Sequence, residues 1–264
     1  SNDIFKVTET NSCFASLLTP QGKYLYDFII IKHKNGYFLD CEKKNIEGLL
    51  KQLNLYKLRS KVEILNLSNE FVVASISKEK FLELSGSKDK AGHTVNFYHD
   101  PIFLDPRTSE LGARLIINLE KLYLSLKKLK LKSSNIDEYY QHSHNLGIPP
   151  KETQQLQNKI FGIECNFDKL NGIDFKKGCY VGQENTARIN LKDKLNKRLF
   201  AINVVEGTFN DGDTITFEKK EIGKIVINNK FSYAILKYKE KIFNYDSEFV
   251  CGNAKIKIIK PIWL

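Results

Sequence analysis

Beyond about residue 195, apolar and β-branched runs recur at strand length and short spacing: 199–205, 214–217, 222–227, 233–236, 248–250 and 255–259. Gly207, Asp211-Gly212, Asn228-Asn229 and Gly252-Asn253 fall between them. Gly, Asn and Asp tolerate the left-handed backbone of tight turns. Many short strands cut by such turns describe a small all-β barrel or sandwich. The expected organisation is therefore a C-terminal β domain, 195–264, behind a region 1–194 of different character.

That first region mixes periods. Residues 24–32 and 37–40 read as two strands around a polar turn. Residues 42–56 read as a helix with Ile46, Leu49, Leu50 and Leu53 on one face. Residues 61–67 and 70–76 read as strands around Ser68-Asn69, and 81–84 as the beginning of a short helix or turn that ends at Gly86. Residues 94–97 and 113–119 are strand-like. Residues 120–132, rich in Lys and Leu, could be helical and read as a solvated segment. Residues 136–146 read as a helix with Asn135 as N-cap and Gly147 past its end. The fold class is α+β.

Composition narrows the function. The 264 residues are 42% hydrophobic, ordinary for a globular chain. No apolar run approaches the ~20 residues of a membrane span, so no membrane contact is expected. Five scattered cysteines argue against a secreted disulfide scaffold. The net charge is +10, but only five of 41 basic residues are Arg. Nucleic-acid surfaces lean on Arg for bidentate contacts, so a basic RNA-binding module rests on charge alone. The His are dispersed and there is no Cys-x-x-Cys, so no metal site is expected. There is no Walker loop, GxGxxG or Gly-x-Ser-x-Gly.

Residues 166–188 are the most informative stretch. Lys176 and Lys177 precede Gly178-Cys179. Cationic neighbours favour a thiolate, and Gly178 permits close backbone approach. Gly182 permits a tight turn, and Glu184 and Arg188 fall at i,i+4 on a helix. On local chemistry Cys179 is equally a reactive thiol or a buried structural one.

The run from Lys177 to Glu184, KGCYVGQE, resembles the signature of the YgfZ family, folate-binding proteins of iron–sulfur cluster assembly or repair related to the glycine cleavage T-protein. Residues 17–23 followed by Asp27, residues 55–62, Asp105-Pro106-Arg107 with 111–114, residues 146–149, Glu164 before 166–168, 197–199 and the ending 260–263 are similar to further family motifs, in order. Ahead of Ser1-Asn2-Asp3 the family carries another strand and helix, so the N-terminus reads as incomplete. Near Ser143 the family often has Arg.

The resemblance implies T-protein-like folate-binding domains, here two intimately packed subdomains, followed by the barrel. It implies tetrahydrofolate or another folate as cofactor, contacted by Gln21, Asp27 and Glu164 and along the signature by Lys177, Gly178, Tyr180, Gly182, Gln183, Glu184 and Arg188. Cys179 is the implied functional thiol. Expected partners are iron–sulfur assembly or client proteins, with the chain a monomer in a bacterial cytoplasm or organelle matrix. The rival is a tetrahydrofolate-dependent aminomethyltransferase of the T-protein type. Against it stand Cys179 itself, Tyr26-Asp27 in place of an Asp pair, the lack of a GYTGE element and the shorter length.

Overall fold

The computed structural model describes residues 1–192, 195–240 and 243–264. It forms two units: Asn2–Ala15 with Tyr26–Ile136, and Ser1 with Ser16–Leu25 and Asp137–Leu264. The boundary expected between 194 and 195 adjoins residues 193 and 194, which lie outside the described residues.

Strands β1 (Cys13–Leu18), β2 (Tyr24–His33) and β3 (Gly36–Asp40) form a sheet in that order. The hairpin expected from the sequence is β2–β3, antiparallel with Ile31 opposite Phe38. The sequence pattern does not predict β1. Five of its six residues are apolar, and five of the six, the polar Ser16 included, are buried, so it shows no alternation to read.

Helix α1 (Ile46–Lys57) buries Leu49 and half-buries Ile46, Leu50 and Leu53, the face read from spacing. The strand expected at 61–67 is absent; that segment is irregular and largely exposed. Its expected partner, β4 (Phe71–Ile76), pairs instead with a distant strand. β-propensity without a pairing edge makes no strand.

After α2 (Lys78–Leu82), β5 (Thr94–Phe97), β6 (Asp100–Leu104) and β7 (Ala113–Asn118) complete an antiparallel sheet of order β4-β7-β6-β5. β6 escaped the sequence reading because it opens on Asp100-Pro101. Pro101 is tolerated because β7 pairs with β6 only from Ile102 onward. Helix α3 (Leu122–Lys128) is followed by Leu129, which packs with Ile102, Leu104, Leu115 and Ile117 of the sheet.

The motif 105–107 with 111–114 builds a buried ion network in this first unit. Arg107 donates Nε and Nη2 to Asp105 Oδ1 and Oδ2 at 2.9 and 2.7 Å. Arg114 donates Nε to Asp105 Oδ2 at 3.0 Å and Nη1 to Asp40 Oδ2 at 2.7 Å. Burial pushes the Asp105 carboxyl up, but the Arg107 and Arg114 guanidiniums outweigh it and hold it below the ordinary range.

In the second unit, α4 (Ile136–Asn145) and α5 (Gln183–Leu191) precede a closed antiparallel barrel. Its strands are β8 (Arg198–Glu206), β9 (Thr214–Phe217), β10 (Lys220–Ile227), β11 (Tyr233–Leu236), β12 (Glu248–Cys251) and β13 (Ala254–Ile258). Their order is β10-β11-β8-β13-β12-β9, closed by β9 on β10. Each of the six runs seen in the sequence is one of these strands. In β13 Ala254, Ile256 and Ile258 point inward while Lys255 and Lys257 face out, a two-residue period. Closure removes sheet edges that would otherwise invite pairing with other chains.

Candidate functional site

Residues 19–23 form a tight turn in the second unit. Gly22 donates its N–H to the Thr19 carbonyl at 2.8 Å, and the Lys23 N–H reaches Thr19 Oγ1 at 3.1 Å. Gly22 sits at φ +81°, where L side chains are strained.

Two segments far away in sequence hold this turn. One is residues 160–164: Lys23 bridges Phe161, and Gly162 donates its N–H to the Gly22 carbonyl at 3.1 Å. The other is the start of α5. Asn185 Nδ2 donates to the Gln21 carbonyl at 2.9 Å. A Cβ on Gly182 would collide with the Thr19 carbonyl oxygen and stand 2.9 Å from Gly22 Cα. Thr186 Oγ1 donates to the Gly182 carbonyl at 2.9 Å, tying the helix start down.

The structure thus brings Gln21, Gly182 and the first turn of α5 together. Glu164 belongs to the second segment of the same assembly. Its Oε2 accepts the Phe161 N–H at 2.9 Å. Burial pushes its carboxyl above the ordinary range, opposed by that N–H and by the charges of Lys197 and Lys23. Asn166 and Asp168, next in the motif, serve structure. Arg198 Nη1 and Nη2 fork onto Asp168 at 2.8 and 2.7 Å, and Nη1 also reaches Asn166 Oδ1 at 3.0 Å.

Cys179 is exposed, in irregular backbone just before the Gly182 turn. Gly178 has open space where a Cβ would be, so the close approach expected there does not occur. The Lys177 ammonium lies over the Tyr180 ring, 5.5 Å from its centroid. The Tyr180 phenol is half-buried beside Thr186, and burial pushes its pKa up. Gln183 Oε1 accepts the Tyr180 N–H at 3.3 Å. Glu184 and Arg188 form the i,i+4 pair at 2.9 Å; both are exposed, so it stabilises by at most about 0.5 kcal/mol.

Asp27 is half-buried on β2 in the first unit. It lies close enough to Cys41 for its charge to help raise that thiol, which burial mainly pushes to about 12. Among the other cysteines, Cys13, Cys165 and Cys251 are buried. Cys251 packs in the barrel core and is pushed by burial to about 11. Asn185, Thr186 and Thr19 lie within residues 166–188 and 17–23, but nothing in the sequence assigns them these contacts; small polar residues in a turn carry no signal of a distant partner.

No family model matches the chain. It is 28% identical over 214 residues, 72% of its length, to "Iron-sulfur cluster assembly factor IBA57 homolog, mitochondrial" of Dictyostelium discoideum, covering 52% of that protein. It is 28% identical over 222 residues, 80% of its length, to "Iron-sulfur cluster assembly factor IBA57, mitochondrial" of Homo sapiens, covering 60% of it. The chain therefore spans little more than half the length of these relatives. In three dimensions it is similar to the glycine cleavage system aminomethyltransferase T of Bartonella henselae, with a TM-score of 0.73 at 11% identity, over 98% of this chain and 77% of that one. By sequence the chain is a homologue of the IBA57 iron–sulfur cluster assembly factors, in line with its YgfZ-like motifs, and its fold is that of the T-protein.

Proposed function

We propose that the chain is a folate-binding accessory protein of iron–sulfur cluster assembly or repair, with Cys179 as its working thiol. One observation carries the reading: of the five cysteines, only Cys179 is exposed, and it leads into the turn that Gly182 packs against Thr19 and Gly22. Thiolates are the ligands of iron–sulfur clusters, so an accessible thiol on an anchored turn can meet cluster iron, which is cargo here. The names of the similar proteins support the same role.

Folate fits the donors of the second unit. Glu164 offers a carboxylate to the amino edge of a pterin, and Lys23 and Lys197 offer cations to the anionic tail. Bound tetrahydrofolate supplies a one-carbon-carrying pterin, while the protein's residues bind and orient it. Gln21, Glu164 and the signature residues are the proposed contacts; Asp27 is proposed by its motif alone. The regions 1–194 and 195–264 are the proposed folate-binding and barrel portions. Assembly or client proteins are the proposed partners of a monomer. The relatives are named mitochondrial, which favours an organelle matrix, and among the described residues no helix is long and apolar enough to cross a membrane.

The test measures three things. Tetrahydrofolate should raise the melting temperature, since a ligand that prefers the folded state stabilises it. C179S should keep that shift yet lose support of cluster enzymes in cells depleted of the native factor. Glycine-dependent formation of methylene-tetrahydrofolate should not be seen. Turnover would establish the aminomethyltransferase reading instead, and full cellular function of C179S would remove the thiol's role.

A further inference from the structure

The outer face of α3 exposes apolar side chains among lysines. The helix turns Ser125 inward, with Leu122 half-buried and Leu129 beyond its end on the sheet core. The opposite face carries Leu119, Tyr123 and Leu124, which are 54%, 75% and 58% exposed. Lys121, Lys127, Lys128 and Lys130 are exposed among them, with Lys132 just beyond. Lys128 places its ammonium 3.7 Å from the centroid of the Tyr98 ring, which is itself 63% exposed at the tip of the β5–β6 hairpin. The exposed acids on these elements are Glu120, within the segment, and Glu70, whose carbonyl accepts the Leu119 N–H; Asp100, two residues past Tyr98, is buried.

The expectation of no membrane contact rests on the lack of an apolar span; against it, we infer that this face docks on an anionic lipid surface as a peripheral contact without a span. Five lysines against two acids make the face strongly cationic, and an anionic leaflet attracts each nearby lysine. Leu and Tyr protruding between lysines are the side chains that enter the headgroup boundary, the phenol staying at its wet edge. Two other anionic partners fit less well. Protein interfaces deplete Lys and select Arg, and this segment has no Arg. Nucleic-acid surfaces draw on Arg for bidentate phosphate and base contacts, again missing here. Lysine, a hydrated point charge on a flexible stem, suits a diffuse anionic plane.

The test is sedimentation of the full chain with vesicles at physiological salt. One set is phosphatidylcholine alone, and the other contains about one third phosphatidylglycerol. Binding should appear on the acidic vesicles only and weaken as salt rises. The double variant K127E/K128E should weaken it more than about tenfold, each lysine being worth roughly fivefold near such a surface. Y123S/L124S should weaken it with the charge unchanged. All four positions are exposed, so the variants should keep the wild-type melting temperature, which is measured alongside. The inference is overturned if acidic vesicles do not sediment the chain, if neither variant weakens binding, or if a single-stranded RNA or an acidic protein binds this face and vesicles do not.

Discussion

Gly182, at the start of α5, and Gly22, 160 positions earlier, meet backbone to backbone. A Cβ on Gly182 would stand 2.9 Å from Gly22 Cα and closer still to the Thr19 carbonyl oxygen. The segment carrying the exposed Cys179 is thereby moored to a turn from the other end of the chain.

Alanine at Gly182 should therefore be costly. Its φ of +82° charges an L residue about 1–2 kcal/mol, and the collision adds to it. The melting temperature should fall by roughly 5 °C or more. Gly178→Ala, with open space around the added methyl, is the control and should shift it little. Equal effects of the two, read by calorimetry, would show that the mooring does not hold the turn.

The Asp105 network should set acid stability in the first unit. Its carboxyl is depressed in the folded state, so its contribution is full above the unfolded value of about 4 and is lost as pH falls through the folded one. Asp105→Asn would leave Arg107 and Arg114 short of their shared partner, a loss of about 3–5 kcal/mol. Urea unfolding at pH 7 measures the loss directly. A variant within about 0.5 kcal/mol of wild type would contradict the network's role.

His144 in α4 should make the second unit acid-sensitive at a higher pH. The ring is buried against Phe231 and Tyr233, with Nε2 3.2 Å from the Ser232 carbonyl and Nδ1 without a hydrogen-bond partner. Burial lowers its pKa, outweighing the carbonyl. Stability is therefore full above the unfolded value of about 6.5 and declines as pH falls below it towards the folded one. His144→Gln should flatten that decline in a pH series of melting curves. An unchanged slope would assign the decline to other groups.

Limiting iodoacetamide on the native protein should label Cys179 first. Cys251 and Cys41 are held at about 11 and 12 by burial, so both stay protonated near neutrality, and Cys13 and Cys165 are shielded. Peptide mass spectrometry reads the order. Cys251 labelled as early as Cys179 would mean that the barrel opens on the labelling timescale.

Local signals are legible in the chain itself. Alternation and turn residues located all six barrel strands, because a closed antiparallel barrel repeats one inward–outward period. Helical spacing located α1 and α5 with its Glu184–Arg188 pair. Motif order pointed to the T-protein fold. What the sequence could not show is which motifs meet. Gly147 packs on Pro261, and Trp263 Nε1 donates to the Leu146 carbonyl at 2.7 Å, joining the 146–149 and 260–263 motifs. Arg198 forks onto Asp168, and Arg114 spans Asp40 and Asp105. Such pairs depend on long-range closure of the chain, and no local period records it. Burial is decided the same way. Cys165 and Cys179 both follow or precede turn residues, yet one lies inside and the other in solvent, because only the packed fold determines which backbone segments have a neighbour on both sides.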